Sequence, residues 1–189
     1  MPPRSTPRRR NLNLPSHAHE LTFSCYRGFP FLRAERTCTW LAEAIDKART
    51  EHQFSLWSYV FMPEHVHLIL CPHNDVYDVA SIRRSIKEPV ARRAIRHLAR
   101  EASPWLSKIS RQRGERVERL FWQSGGGYDR NINNPKTLAM MIDYIHGNPG
   151  RRNLVENPAD WRWSSAAWYE GKKDGDLLVD PIPVEWSVD

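Results

Sequence analysis

The chain has 189 residues, 40% hydrophobic and 26% charged, which predicts one folded domain, excludes wholesale disorder and is too short for a complete eight-fold β/α barrel. Lys and Arg outnumber Asp and Glu by 28 to 22, yet residues 170–189 hold two lysines and six acids, so residues 1–169 carry a net charge of +10. No apolar run reaches the roughly 18 residues of a membrane span, the first ten residues lack the apolar stretch of a secretory signal, and Cys25, Cys38 and Cys71 are too widely spaced for a disulfide framework or a thiolate metal site. A cytoplasmic protein with reduced core thiols and no membrane partner is expected.

Three stretches divide the chain: a flexible basic arm over residues 1–15, with Arg4, Arg8, Arg9 and Arg10; a single domain over 16–169; and an acidic tail over 170–189. Within the domain, residues 20–27 mix polar and aromatic side chains as a strand does, and 34–50 carry Leu41, Ala44, Ile45 and Ala48 at helical spacing. Residues 54–62 and 65–71 read as strands joined by the Pro63-Glu64 turn. Residues 76–100 place Val79, Ile82, Ile86, Val90, Ala94 and Leu98 at helical intervals, with Pro89 predicting a kink or restart. A fourth strand is expected over 116–122, a loop at the glycines 125–127, and a last helix over 137–147 that Pro149 stops. The order β-α-β-β-α-β is that of an α+β, ferredoxin-like or RRM-like sheet with one helix appended.

Between Arg83 and Arg100 seven basic residues face the single acid Glu88. Such clustering suits a polyanion, since each neutralised phosphate releases condensed counterions, although a solvated helix face has the same composition. His65 and His67 flank Val66 on a strand, so both rings leave the same side of the sheet and can reach one cation. Ile69 stands where a His-x-His-x-Asp-His zinc hydrolase has its Asp, which excludes that site. A second pair, His17 and His19, lies in a polar region and is expected at the surface. On the last helix Leu138, Met141, Ile142 and Ile145 form the apolar stripe, and Tyr144 and Asn148, four residues apart, share its border. Taken separately, each pair is read more readily as packing, surface or capping residues than as a site.

The combination of His-Val-His, Tyr-x-x-x-Asn and a basic body resembles the single-tyrosine transposases of the HUH endonuclease superfamily, and among them the REP-associated tyrosine transposases. The matching stretches are Phe61-Met-Pro-Glu-His-Val-His-Leu-Ile-Leu70, Phe121-Trp-Gln123 followed by Tyr128-Asp-Arg130, the run from Asp143 to Glu156, and Asp160-Trp-Arg-Trp-Ser-Ser-Ala166. The resemblance spans about residues 17–169. It implies Tyr144 as nucleophile, His65, His67 and Asn148 as ligands of Mg2+ or Mn2+, and single-stranded or hairpin DNA of REP-like elements as partner, with a homodimer left open. Arg83, Arg84, Lys87, Arg93, Arg96, Arg151 and Arg152 are the basic residues expected on DNA. Glu64 departs from the pattern, standing where the family often has Asn, and the run of three glycines is looser than its usual linker.

The residue types suit phosphodiester transfer. Two neutral imidazoles and an amide oxygen hold one divalent ion and leave positions open for a phosphate, and a phenol is both a usable nucleophile and a better leaving group than an alkyl alcohol, so the link it forms is reversible. The expected activity is metal-dependent nicking and strand transfer through a 5′-phosphotyrosine. The alternatives are a non-catalytic hairpin-binding or regulatory protein of the same fold, and a metallohydrolase that forms no covalent link. Trp161, Trp163 and Trp168 are expected in the core rather than stacked on bases, and Ser164-Ser165 as a helix cap.

Overall fold

The computed structural model describes residues 12–187, so Arg4, Arg8, Arg9 and Arg10 of the basic arm lie outside the described residues. Strand β1 (Ala18–Ser24), helix α1 (Glu35–His52), strands β2 (Phe54–Phe61) and β3 (His65–Pro72) and helix α2 (Val79–Arg100) follow one another as expected. A short helix α3 (Trp105–Lys108), a hairpin of β4 (Ser110–Arg113) and β5 (Arg116–Arg119), strand β6 (Tyr128–Ile132) and helix α4 (Pro135–His146) come next. Two more short helices, α5 (Asn148–Arg151) and α6 (Ala166–Tyr169), follow α4. The main sheet has the order β2-β3-β1-β6 with every neighbour antiparallel, the order of a ferredoxin-like split unit.

Alternation along the strands gives this sheet two apolar faces. Leu21, Phe23, Val66 and Leu68 face one way and pack with Leu41 and Ile45 of α1 and Ile82 and Ile86 of α2. Ala18, Val60, Ile69 and Ile132 face the other and pack with Leu138, Ile142 and Ile145 of α4. A β-bulge between Leu56 and Ser58 turns both Trp57 and Ser58 toward the α4 side. The sheet is therefore covered on both sides, but α4 covers only part of its face, and the ends of β1 and β3 that bear Thr22, His65 and His67 lie beyond its apolar stripe.

The fourth strand is not where the sequence reading put it. Residues 116–119 are mostly charged and pair with β4 in a separate two-stranded sheet, with Val117 59% exposed. Phe121 and Trp122 then turn into the α1/α2 core. The sheet edge is β6, whose sequence Tyr-Asp-Arg-Asn-Ile is too polar to announce a strand. Its entry is fixed by Gly127, at φ +71°, where a Cβ would come within 2.1 Å of the Thr22 carbonyl oxygen, so only glycine lets the loop close on β1. Helix α2 begins at Val79 because the Asp78 carboxylate accepts from the Ala80 and Ser81 amides, and it runs on through Pro89. Pro149 does not end helical structure either: Gly147 stays right-handed and α5 continues directly.

Both predicted extensions join the body where they are described. The Leu14 carbonyl accepts from the Tyr77 hydroxyl and the Leu12 carbonyl from the Asn131 amide, so residues 12–15 are docked. In the acidic segment Leu177 and Val179 are buried, and Asp180 accepts from the Leu56 amide. Cys25 and Cys38 are free and buried, and burial pushes both thiols up to about 12. Trp163 stacks on Phe61 in the core, Trp161 donates from its indole to the Phe61 carbonyl, and Trp168 packs on the same core. Among the described residues no helix is long and apolar enough to cross a membrane.

Candidate active site

The turn before β3 brings His65 and His67 to the end of the sheet with their rings on the α4 side, centroids 4.9 Å apart and nearly perpendicular. Thr22 is the register partner of His67, and its hydroxyl lies 2.8 Å from His67 Nδ1. The same nitrogen lies 3.3 Å from Glu20 Oε1, which also accepts from the Thr22 hydroxyl at 3.2 Å. Glu20 and His67 are both buried, at 3% and 7% exposure. His65 is held in the same manner, its Nδ1 3.1 Å from Glu64 Oε1. Glu64 in turn accepts from Arg152. Burial raises the Glu64 carboxyl, but Arg152 and His65 more than offset this and hold it below the usual carboxylate range. Burial and then the neighbouring His67 push His65 down, against the pull of Glu64, which favours a neutral imidazole with a lone pair to give.

Each Nδ1 is thus tied to a carboxylate, the arrangement that orients a metal-binding imidazole and fixes its tautomer. Neither Nε2 has a hydrogen-bond partner among the described residues.

Helix α4 supplies the other half. Its N-cap Asn134 accepts from the Thr137 amide, Pro135 occupies the first turn, and the buried stripe is Leu138, Ile142, Ile145 and His146. His146 Nε2 lies 2.8 Å from both the Ser58 and Ser165 hydroxyls, and burial pushes its imidazole down to about 4. This polar peg fixes the rotation of the helix on β2. Ser165 therefore serves the network rather than a cap, while the Ser164 hydroxyl accepts from the Ala166 amide. With that rotation set, Tyr144 stands 51% exposed, its ring perpendicular to that of His67 at 6.3 Å between centroids.

Arg151 stacks its guanidinium 4.6 Å from the Tyr144 ring centroid and donates to the Tyr144 carbonyl. The Asn148 amide nitrogen donates to the carbonyls of Tyr144 and Ile145, at 3.2 and 3.1 Å, which leaves its Oδ1 without a partner among the described residues. Residues from β1, β3, α4 and α5 thus meet in one half-open polar site, containing His65, His67, Tyr144, Arg151 and Arg152 from the sequence reading. Glu20 and His146 were missed. Glu20 alternates with Leu21 as any exposed strand acid would, and His146 is a polar residue at the end of the helix, next to the apolar stripe that periodicity shows; neither carries a motif.

The basic residues of α2 are elsewhere and do not form one face. Arg83, Arg84 and Lys87 line a recess beside Gly125 and Gly126, Arg93 pairs with Glu43 and covers Trp40, and Arg96 is exposed. The second histidine pair is corrected as well. His19 is fully buried between Asp129 and Tyr77, 2.8 Å from each, and His17 lies 3.2 Å from the Asn131 amide.

No family model matches the chain. Its sequence is similar to a Haemophilus influenzae protein named for the REP-associated tyrosine transposases, 27% identical over 168 residues that cover 84% of this chain and 85% of that protein. It is also similar to the REP-associated tyrosine transposase of Escherichia coli, 24% identical over 149 residues covering 79% and 72%. A solved structure described as a REP-associated tyrosine transposase bound to a REP hairpin superposes with a TM-score of 0.66 at 21% identity, covering 97% of this chain and 93% of that one. The α+β architecture with its antiparallel sheet is shared with that structure.

Proposed function

From its likeness to the REP-associated tyrosine transposases, we propose that this chain nicks and rejoins single-stranded or hairpin DNA through a covalent bond to Tyr144. The observation that carries the reading is the meeting of Tyr144 with His67 and His65, which reach one site from elements far apart in sequence and leave the phenol half-exposed and both Nε2 atoms without a hydrogen-bond partner among the described residues. The Tyr144 oxygen attacks a backbone phosphorus, a Tyr–O–P bond forms, and the P–O3′ bond breaks to give a 3′-hydroxyl that takes up a proton. The phenolic proton leaves to water, which the half-exposed side chain permits. In the reverse step the 3′-oxygen attacks, and Arg151 against the ring favours the charge returning to the phenolate.

The family resemblance implies Mg2+ or Mn2+, and of the two the imidazole nitrogens fit Mn2+ better, since Mg2+ favours oxygen ligands and would keep bound water beside them. His65 Nε2, His67 Nε2 and Asn148 Oδ1 are the free donors, and each is held from behind by a hydrogen bond to its other polar atom. Such an ion, when bound, neutralises charge on the non-bridging phosphate oxygens. Among the described residues no group of three or more His, Cys, Asp and Glu side chains is arranged to hold a metal, and the third protein ligand in this reading is the Asn148 amide that the family resemblance implies. Glu64 and Glu20 act through the histidines, and Arg152 holds Glu64 in place.

The test is incubation of the protein with Mg2+ and end-labelled hairpin DNA, followed by denaturing electrophoresis. A protein–DNA adduct that survives denaturation is expected. Binding without an adduct would make the chain a hairpin-binding module, and cleavage without an adduct would make it a hydrolase with another nucleophile.

A further inference from the structure

On the α2 side of the sheet, away from the histidines, two cations sit side by side with no ion-pair partner among the described residues. Arg83 is only 7% exposed, and its Nη1 is buried without a hydrogen bond among the described residues. Lys87, one helical turn on, is largely buried, and burial together with Arg83 pushes its ammonium down to about 8. Its Nζ reaches one carbonyl, that of Gly125, at 3.5 Å. Arg93 and Arg100 of the same helix are paired with Glu43 and Glu101, whereas Arg83, Arg84 and Lys87 form no salt bridge among the described residues. Asp129 and Asp78 draw on Arg83 only at longer range. Holding two desolvated like charges together is unfavourable unless an anion joins them.

The space for that anion is there. Arg83, Arg84, Lys87, Ala80, Glu88 and the Gly125–Gly126 backbone line an open recess of about 280 Å³. A Cβ on Gly126 would come within 2.7 Å of Arg83 Nη2, so the loop lies directly against the guanidinium and a larger residue there would displace it. The amides of Gly125 and Gly126 donate to no group among the described residues. A guanidinium fork, an ammonium and unpaired backbone amides around a small recess are what a phosphate oxygen set takes.

We propose that Arg83, Lys87 and the Gly125–Gly126 loop form a subsite for one backbone phosphate of the DNA strand, outside the reaction centre. This deepens, and rests on, the DNA-processing reading above. The loop leads into Gly127 and β6, the edge strand that lies against Thr22, whose hydroxyl contacts His67. A strand held in this recess and cut at Tyr144 passes around the β6 edge, so the subsite sets where along the strand the cut falls.

Two probes test it on the full chain: hairpin DNA with a single-stranded flank, titrated with salt, and inorganic phosphate followed by thermal shift. Lys87→Gln is expected to weaken DNA binding about 3- to 10-fold and to reduce the magnitude of the log–log salt slope by about 0.7, the value for one single-strand phosphate contact. Phosphate is expected to stabilise the unsubstituted protein and Lys87→Gln less. Arg83→Gln repeats the comparison, with circular dichroism confirming the fold, and Lys87→Gln decides if Arg83→Gln does not fold. Unchanged DNA affinity and slope in Lys87→Gln overturn the subsite, and an adduct formed by the unsubstituted protein in the same experiment leaves the reading of Tyr144 standing. If phosphate protection is lost in Lys87→Gln while DNA affinity is unchanged, the recess serves free phosphate and the DNA assignment is wrong. No DNA binding by the unsubstituted protein refutes the DNA-processing reading and the subsite with it.

Discussion

His19 and His67 sit on opposite faces of neighbouring strands, and each is buried against a carboxylate, yet they do different work. His19 has both ring nitrogens committed, one to Asp129 and one to Tyr77, and it stands on the face packed by α2. His67 commits only Nδ1, to Thr22 and Glu20, and turns its other edge toward His65 and Tyr144. Pairing with a carboxylate therefore does not mark a reactive histidine, because the first case is a closed polar plug in a core. In the proposed mechanism what marks it is a second nitrogen left without a partner among the described residues, beside a half-exposed phenol. The same contrast separates Arg93, neutralised by Glu43, from Arg83, which has no carboxylate within salt-bridge distance among the described residues.

The sharpest way to break this comparison is to remove the reactive atoms. Tyr144→Phe is expected to abolish adduct and cleavage, a loss of at least about 10³-fold, while hairpin binding stays within a few-fold, since one oxygen is removed from an exposed side chain. An adduct formed by the Phe variant would move the nucleophile to Tyr128, which lies in the same cross-sheet row as Thr22 and His67. The two histidines should then part company. His67→Ala is expected to lose metal-dependent cleavage by orders of magnitude and to keep hairpin binding. His19→Ala is expected to keep activity per folded molecule but to lose about 3 kcal/mol of stability, because the buried Asp129 carboxylate loses its partner and a cavity is left, while the Tyr77 hydroxyl keeps its bond to the Leu14 carbonyl. Denaturant unfolding and single-turnover cleavage on both variants decide it; a stable, inactive His19→Ala would refute the contrast.

His146 gives the next effect, on stability alone. Its folded-state imidazole titrates near about 4, below the ordinary 6.5, because it is buried between Ser58 and Ser165. The unfolded chain thus binds the proton first as pH falls, so this group's contribution is intact above about 6.5 and is lost between there and about 4. A shift of this size corresponds to about 3 kcal/mol. His146→Gln, which cannot take up that proton, should flatten the dependence of unfolding free energy on pH between 6.5 and 4. An unchanged pH profile would show that another group is responsible.

The first five elements, β-α-β-β-α, and the shared face of His65 and His67 were legible in the sequence because they rest on periodicity, which burial enforces on both sides of this sheet. Tyr144 came from its spacing to Asn148 joined to a family resemblance, since a tyrosine at a core margin carries no signal of its own. β6 was not legible. Its pairing is held by Gly127 against Thr22 and by Asp129 reaching His19, which are tertiary events with no local pattern. The unpaired cations at Arg83 and Lys87 were visible only as two of seven basic residues, because what separates them from Arg93 is the position of Glu43 on another helix. Glu20 was hidden for the converse reason: a strand acid is read as solvent-facing, and here it is buried by the Thr22 and His67 it supports.

The smallest expected effect concerns Asn148, which is the point where helix capping and metal binding meet in one side chain. Its amide nitrogen closes the end of α4 on two carbonyls, and that capping is worth about 1 kcal/mol. Its Oδ1 is the atom that the ligand assignment needs. Asn148→Ala removes both, so the change is expected to cost about 1 kcal/mol of stability and, in the folded protein, to raise the Mg2+ concentration needed for half-maximal cleavage about 10-fold, with partial rescue by excess metal. Asn148→Asp separates the two roles: a carboxylate cannot donate to the carbonyls and so loses the cap, yet it binds a hard cation at least as well as an amide does. The Asp variant should therefore match Ala in stability and stand closer to the unsubstituted protein in metal requirement. If Ala and Asp show the same metal requirement as the unsubstituted protein, Asn148 is a cap only. The third ligand would then be sought at Glu64, which already lies against His65 and would have to exchange its bond to Arg152 for one to the metal.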